Sequence, residues 1–262
     1  MRTVSDVAAL LDQFAPPWLA EDWDNVGLLV GDPGGSVARV MTCLTITPAT
    51  AAEAVQGQAE LIVAHHPLPF RPIKRLTTET TTGRLLYELI SAEVAVYSPH
   101  TAFDSAREGI NQRLAAGLAL QGITPLVPSD EGLGSGRRGC LEEPVGLDDL
   151  GRRLGEFLRV DRIGMVGDPE RPVRTVAVAC GAAGEFLETA RQTGCDAMVL
   201  GEARFHTCLE AEAAGVGLLL PGHFASERFA VECLAEELSQ QCPDLEVWAS
   251  RREHDPVRWL HC

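Results

Sequence analysis

Three short stretches carry side chains able to hold a cation, and they share one design. In "LIVAHHPLPF" an apolar run ends in His65, His66 and Pro67. Proline fixes its own φ and pushes His66 towards extended geometry, so the chain leaves a strand here with two imidazoles at its tip. In "VAVYSPHTAFDSA" a second apolar run ends in Pro99 and His100, with Asp104 four residues on. That step puts His100 and Asp104 on one face if the segment is helical, and Asp104 is either a ligand or the cap of the helix that follows. In "LLLPGHFASERFA" a third run ends in Pro221, Gly222 and His223, with Glu227 again four residues on. Such a pair chelates one ion, straddles two, or is a plain surface pair. Imidazole with carboxylate suits zinc, iron, manganese, nickel or cobalt. Five ligands, His65, His66, Asp104, His223 and Glu227, exceed what one open catalytic zinc takes from protein, so two divalent ions are the natural count.

A fourth stretch, "MVLGEARFHTCLEA", adds Glu202 and His206, also four apart after an apolar run. With His100, these are candidates for orienting ligands or moving protons. Alternatively, Glu202 serves only the positive end of a helix dipole. "EDWDNVGLLVG" packs Asp22, Trp23, Asp24 and Asn25 into a turn before a strand, as a site wall or as a capped turn. Arg137 and Arg138 in "GLGSGRRGC" are the weakest candidates, an anion-binding cradle for substrate set against an ordinary linker.

The elements needed to bring these residues together are those of an α/β fold. Strand-like runs at 27–30, 40–46, 61–64, 94–97, 176–180, 197–200, 216–220 and 245–249 alternate with helical segments at 4–14, 48–56, 83–91, 109–117, 147–158, 184–192, 206–214 and 226–240. Thr3 is a candidate cap for the first helix. The alternation predicts largely parallel sheets, with sites where strands end and helices begin. The compositional break at Pro128–Gly139, rich in Gly, Ser and charge, divides the chain into expected domains 1–128 and 129–262, with the C-terminal segment free to pack back on the first.

Composition narrows the function. The 262 residues are 45% hydrophobic, enough for a real core, and the formal net charge is −15. That charge argues against nucleic acid as a main partner, since no counterion release is available. Lys74 is the single lysine, leaving one candidate for Schiff-base chemistry. No run is long enough for a membrane helix, and no secretory core opens the chain, so a cytoplasmic protein is expected. The eight cysteines form no C-x-x-C pair and read as buried reduced thiols.

Taken together, "WDNVGLLVG", "LIVAHHP", "PHTAFDSA…GIN", "LGEARFH" and "GHFASE" resemble, in order and over nearly the whole chain, the NIF-three-like family, also called the GTP cyclohydrolase I type 2 family. The resemblance implies two α/β domains with a dinuclear metal centre in the cleft between them, and assembly into a ring-shaped hexamer. Carried over by position, the family's ligands fall on His65, His66, Asp104, His223 and Glu227, with His100 and His206 close by. The length fits the short form of the family. Thr45 stands where many relatives have aspartate, so no acid role transfers there. The functions implied are a metal-dependent hydrolase acting on a small molecule or, as an alternative, a metal carrier or assembly platform.

Overall fold

A computed structural model describes residues 1–129, 133–258 and 260. Residues 130–132 of the expected linker, and His261 and Cys262, lie outside the described residues. The chain forms two compact units: Met1–Phe103 with Ala230–Cys262, and Asp104–Phe229.

The first unit is built on a five-stranded sheet in the order Glu246–Ala249, Arg39–Cys43, Leu61–Ala64, Ala95–Ser98, Gly27–Val30. The first four strands are parallel and Gly27–Val30 is antiparallel to its neighbour. Leu61–Ala64 and Ala95–Ser98 are buried at every residue, which is why they read as continuous apolar runs. Helices pack on this sheet through apolar stripes. Val4–Phe14 buries Val4, Val7 and Leu11 and starts at a capping box in which Thr3 and Asp6 satisfy each other's backbone N–H. Pro48–Gln56 is capped by Thr47 and has proline in its first turn, where a missing N–H costs nothing. Thr81–Ser91 brings Leu85 and Leu89 against Met41, Ile62 and Val96.

In the second unit a six-stranded sheet runs Gly164–Val166, Gly217–Leu220, Ala197–Leu200, Pro172–Ala179, Arg137–Gly146, Gln121–Thr124. Its three central strands, Pro172–Ala179, Ala197–Leu200 and Gly217–Leu220, are parallel, and the others are antiparallel to their neighbours. Helix Leu147–Leu158 lays Leu147, Leu150, Leu154 and Leu158 on this sheet. At about 2 kcal/mol for each buried leucine, that stripe is a main attachment of the helix. The first sheet is therefore largely parallel with one antiparallel margin, and the second has a parallel centre with antiparallel strands on both sides.

Residues 128 and 129, where composition placed a division, fall inside the second unit. Val127–Pro128 pairs with Gly134–Ser135, and Arg137–Gly146 is the long strand that joins Gln121–Thr124 to Pro172–Ala179. Among the described residues no two cysteines are bonded, and no helix is long and apolar enough to cross a membrane.

Candidate metal centre

In the first unit, the parallel pairing of Leu61–Ala64 with Arg39–Cys43 continues past both strands. His65 N–H donates to Cys43 O (3.0 Å) and His66 N–H to Leu44 O (2.8 Å), which fixes both histidines just past the end of the central strand. Ser98 Oγ donates to His65 O (2.7 Å) from the neighbouring strand. His65 is buried and His66 half-buried. The His66 ring meets Thr45 Oγ1 through Nδ1 at 2.7 Å, which would turn Nε2 towards any metal ion the ring met. Glu253 in turn accepts the backbone N–H groups of Leu44 (2.8 Å) and Thr45 (2.6 Å).

His100 completes this group. One ring nitrogen from each of His65, His66 and His100 lies within 4.8 Å of the others, a set able to hold a metal ion. His100 opens helix His100–Ser105 with φ +27, a backbone conformation that side-chain-bearing residues seldom adopt. Its Nδ1 faces Asp24 Oδ1 at 2.6 Å. Asp24 also accepts from Thr101 N–H (3.1 Å), Thr101 Oγ1 (2.5 Å) and Asn25 N–H (2.7 Å). Burial alone pushes the Asp24 carboxyl up, but the bonds from His100 and Thr101 outweigh it and hold it at about 2. Asp24 is therefore a carboxylate that can only accept, so the His100 proton sits on Nδ1 and Nε2 is the ring atom able to take another.

Asp104 lies one turn after His100 in the same short helix. The next helix, Ile110–Gly117, is capped at Gly109, so Asp104 is not its cap. Cys180 Sγ donates to Asp104 Oδ1 (3.2 Å). Burial, then the charges of Asp104 and Glu227, push that thiol well above its usual range, and it stays protonated.

In the second unit the tips of the three parallel strands carry Gly181, Gly201 and Gly222, laced by Glu202 N–H to Gly181 O and Gly222 N–H to Gly201 O, both 3.0 Å. Helix His223–Gln241 starts three residues earlier than the sequence pattern suggests, so His223 is its first residue and Glu227 lies one turn in. His223 Nε2 is 3.2 Å from Glu227 Oε2, and Nδ1 is 3.1 Å from Glu202 Oε1. Bonding to Glu227, opposed by burial and reinforced by Glu202, raises His223 to about 9. Glu227 is buried. Ser226 Oγ donates to His223 O (2.8 Å) and accepts Gly181 N–H (3.0 Å), tying the helix start to the strand tip. Gly181 has φ +65, and a Cβ there would stand 2.4 Å from Glu227 Oε1. The backbone is cut away to admit the carboxylate.

Other candidates sit elsewhere. His206 is exposed as the second residue of helix Phe205–Ala214, its ring 6.0 Å from that of Phe205. Arg137 is buried and spends its guanidinium on the carbonyls of Gly134, Gly136, Ser105 and Ala106 and on Gln112 Oε1. Arg138 donates to Thr193 O (3.0 Å). Residue types and spacing did not single out Cys180, Gly181 or Ser226, and Asp24 was visible only as part of a turn. The P-G-H-x-x-S-E order at 221–227 was the available signal for Ser226.

Fold and ligand set together define an α/β protein whose parallel strand tips present imidazoles and carboxylates able to bind a metal ion. Residues 2–256 match the Duf34/NIF3 (NGG1p interacting factor 3) family, and the chain belongs to that family. A GTP cyclohydrolase 1 type 2 homolog of Streptomyces coelicolor is 35% identical over 268 residues, spanning 98% of this chain and 94% of its own. A NIF3-like protein 1 of Drosophila melanogaster is 30% identical over 267 residues, spanning 98% and 89%. Among solved structures, a Bacillus cereus protein related to NIF3 superposes with a TM-score of 0.91 at 22% identity, over 99% of both chains, a likeness of fold.

Proposed function

We propose that His65, His66, Asp104, His223 and Glu227 hold two divalent ions and that the protein is a metal-dependent hydrolase of small molecules. The observation that supports this best is the convergence of the His65 and His66 nitrogens, with one of His100 beside them, to within 4.8 Å. The donor set fits such ions: imidazoles with oriented rings, a buried carboxylate, and a glycine cut-out at Gly181 that a side chain would fill. A bound ion pair would supply Lewis acidity and make a water acidic near neutral pH.

The chain's own residues do the rest. Asp24 fixes the tautomer of His100, so that Nε2 accepts a proton from the attacking water and returns it to the leaving group. Glu202 orients the His223 ring from its other nitrogen. Thr45 does the same for His66 with a hydroxyl in place of a carboxylate. The reading extends to the ring-shaped hexamer implied by the resemblance and to the cytoplasmic setting expected from the sequence, which light scattering and fractionation would check.

The test is elemental analysis of protein purified without added metal, then turnover with each ion on phosphoesters and cyclic amides. His66→Ala is expected to lose metal and turnover together. A fully loaded protein that exchanges its ions rapidly and turns over none of these compounds would instead be a metal carrier.

A further inference from the structure

Beside the histidine cluster of the first unit stand two large aromatic side chains that the fold leaves in solvent. Trp23 is 61% exposed and Phe70 42%. Their rings meet edge to face with centroids 6.0 Å apart, and each also meets the His100 imidazole edge to face, Trp23 at 6.0 Å and Phe70 at 6.2 Å. Edge-to-face contact is the arrangement aromatic quadrupoles favour, and it leaves ring faces available to a further flat group.

Neither ring rides on a loose loop. Segment 21–25 is pinned at three points: Glu21 N–H donates to Thr101 Oγ1 (3.0 Å), Asp24 accepts from His100 and Thr101, and Asn25 Nδ2 donates to Pro69 O (2.7 Å). The last bond ties the residues bearing Trp23 to those bearing Phe70. Exposing so much apolar surface on so braced a frame is costly unless something covers it. The frame is also the one that orients His100, so whatever lies on the rings is held next to the His100 imidazole.

We propose that Trp23 and Phe70 form a stacking platform for a planar heteroaromatic ring of the substrate, which sets the substrate class as a nucleoside-like or fused-ring compound rather than a simple ester or amide. The proposal rests on the hydrolase reading for what happens to the ring next, but not for its capture. Stacking on aromatic side chains discriminates flat π-systems from sugars and alkyl chains while tolerating differences in ring substituents.

Calorimetric titration of the metal-loaded full chain with guanosine, adenosine and uridine tests it, with ribose and tetramethylammonium as controls lacking an aromatic ring. At least one nucleoside is expected to bind, ribose is not, and Trp23→Ala and Phe70→Ala should each weaken binding roughly 5- to 100-fold. Trp23→Phe should retain most of the affinity, and Trp18→Ala, an exposed tryptophan elsewhere, all of it. Unaltered metal content and melting temperature in the variants would show that the frame survives. Nucleoside affinity indifferent to both Trp23→Ala and Phe70→Ala overturns the inference. So does binding of tetramethylammonium with none of the three nucleosides, or no binding at all. Trp23-dependent binding that persists after chelation, with no turnover, would sink the hydrolase reading and leave the platform standing. Metal-dependent turnover of a nucleoside unaffected by Trp23→Ala would do the reverse.

Discussion

Asp24 and His223 show how far a single group's surroundings decide its role. Asp24→Asn keeps the shape at His100 but replaces an acceptor by an amide that can present N–H, so the imidazole loses the partner that fixes its tautomer. Under the hydrolase reading kcat should fall about 100- to 10,000-fold while metal content stays constant, which steady-state kinetics and elemental analysis would show together. His223 carries the opposite lesson. In metal-free protein its value is raised from 6.5 to about 9. Its contribution to stability is therefore complete below about 6.5 and is lost as pH rises through about 9. Under the proposed ligation a metal ion would have to displace that proton. Adding zinc to metal-free protein at pH 7.5 should release it, and apparent affinity should climb with pH until about 9. Proton release unchanged in His223→Gln would refute this assignment.

Among the elements, the buried strands were legible because their residues are apolar on both faces. Leu61–Ala64 and Ala197–Leu200 announce themselves for that reason, and so did the histidines immediately after the former. Short marginal strands such as Gln121–Thr124 were not legible, since half-exposed polar residues carry no alternation and only pairing with Arg137–Gly146 makes them strands. Helix His100–Ser105 was hidden in another way: six residues long, it opens on an unusual φ held by a partner 76 positions earlier. Gly181 belongs to the same class, for nothing local to "ACGAAG" states that Glu227 will need the room. Gly181→Ala should force Glu227 aside, costing about 1–2 kcal/mol from the positive φ alone and at least tenfold in metal affinity. Chemical denaturation and a competitive chelator titration would measure the two. Metal affinity unchanged in Gly181→Ala would show that the cut-out has no part in ligand placement.

For the molecule as a whole, a buried carboxylate is a main anchor of the segment after Ala249. Glu53 accepts from Ser250 Oγ (2.6 Å), Arg251 N–H (2.9 Å) and Arg252 N–H (3.0 Å). Burial pushes Glu53 up, but these bonds win and its value is lowered from 4.5. The stability it confers is thus present above about 4.5 and lost as pH falls through the lowered value. Glu53→Gln is expected to cost roughly 2 kcal/mol at pH 7 and to flatten the acid limb of the stability curve. A variant that melts like the parent at pH 7 would show the anchor to be dispensable.

The first unit is made of two stretches of chain, Met1–Phe103 and Ala230–Cys262, with the whole second unit between them. During synthesis on the ribosome, strand Arg39–Cys43 must therefore wait with one edge unpaired while well over a hundred further residues emerge, because its neighbour Glu246–Ala249 follows the whole second unit in the sequence. The Glu253 carboxylate that steadies Leu44 and Thr45 behind His66 arrives later still. A nascent or prematurely terminated chain would carry both histidines and an open sheet edge without the support that aims them, so under the proposed reading any metal loading there would come late in the life of each molecule.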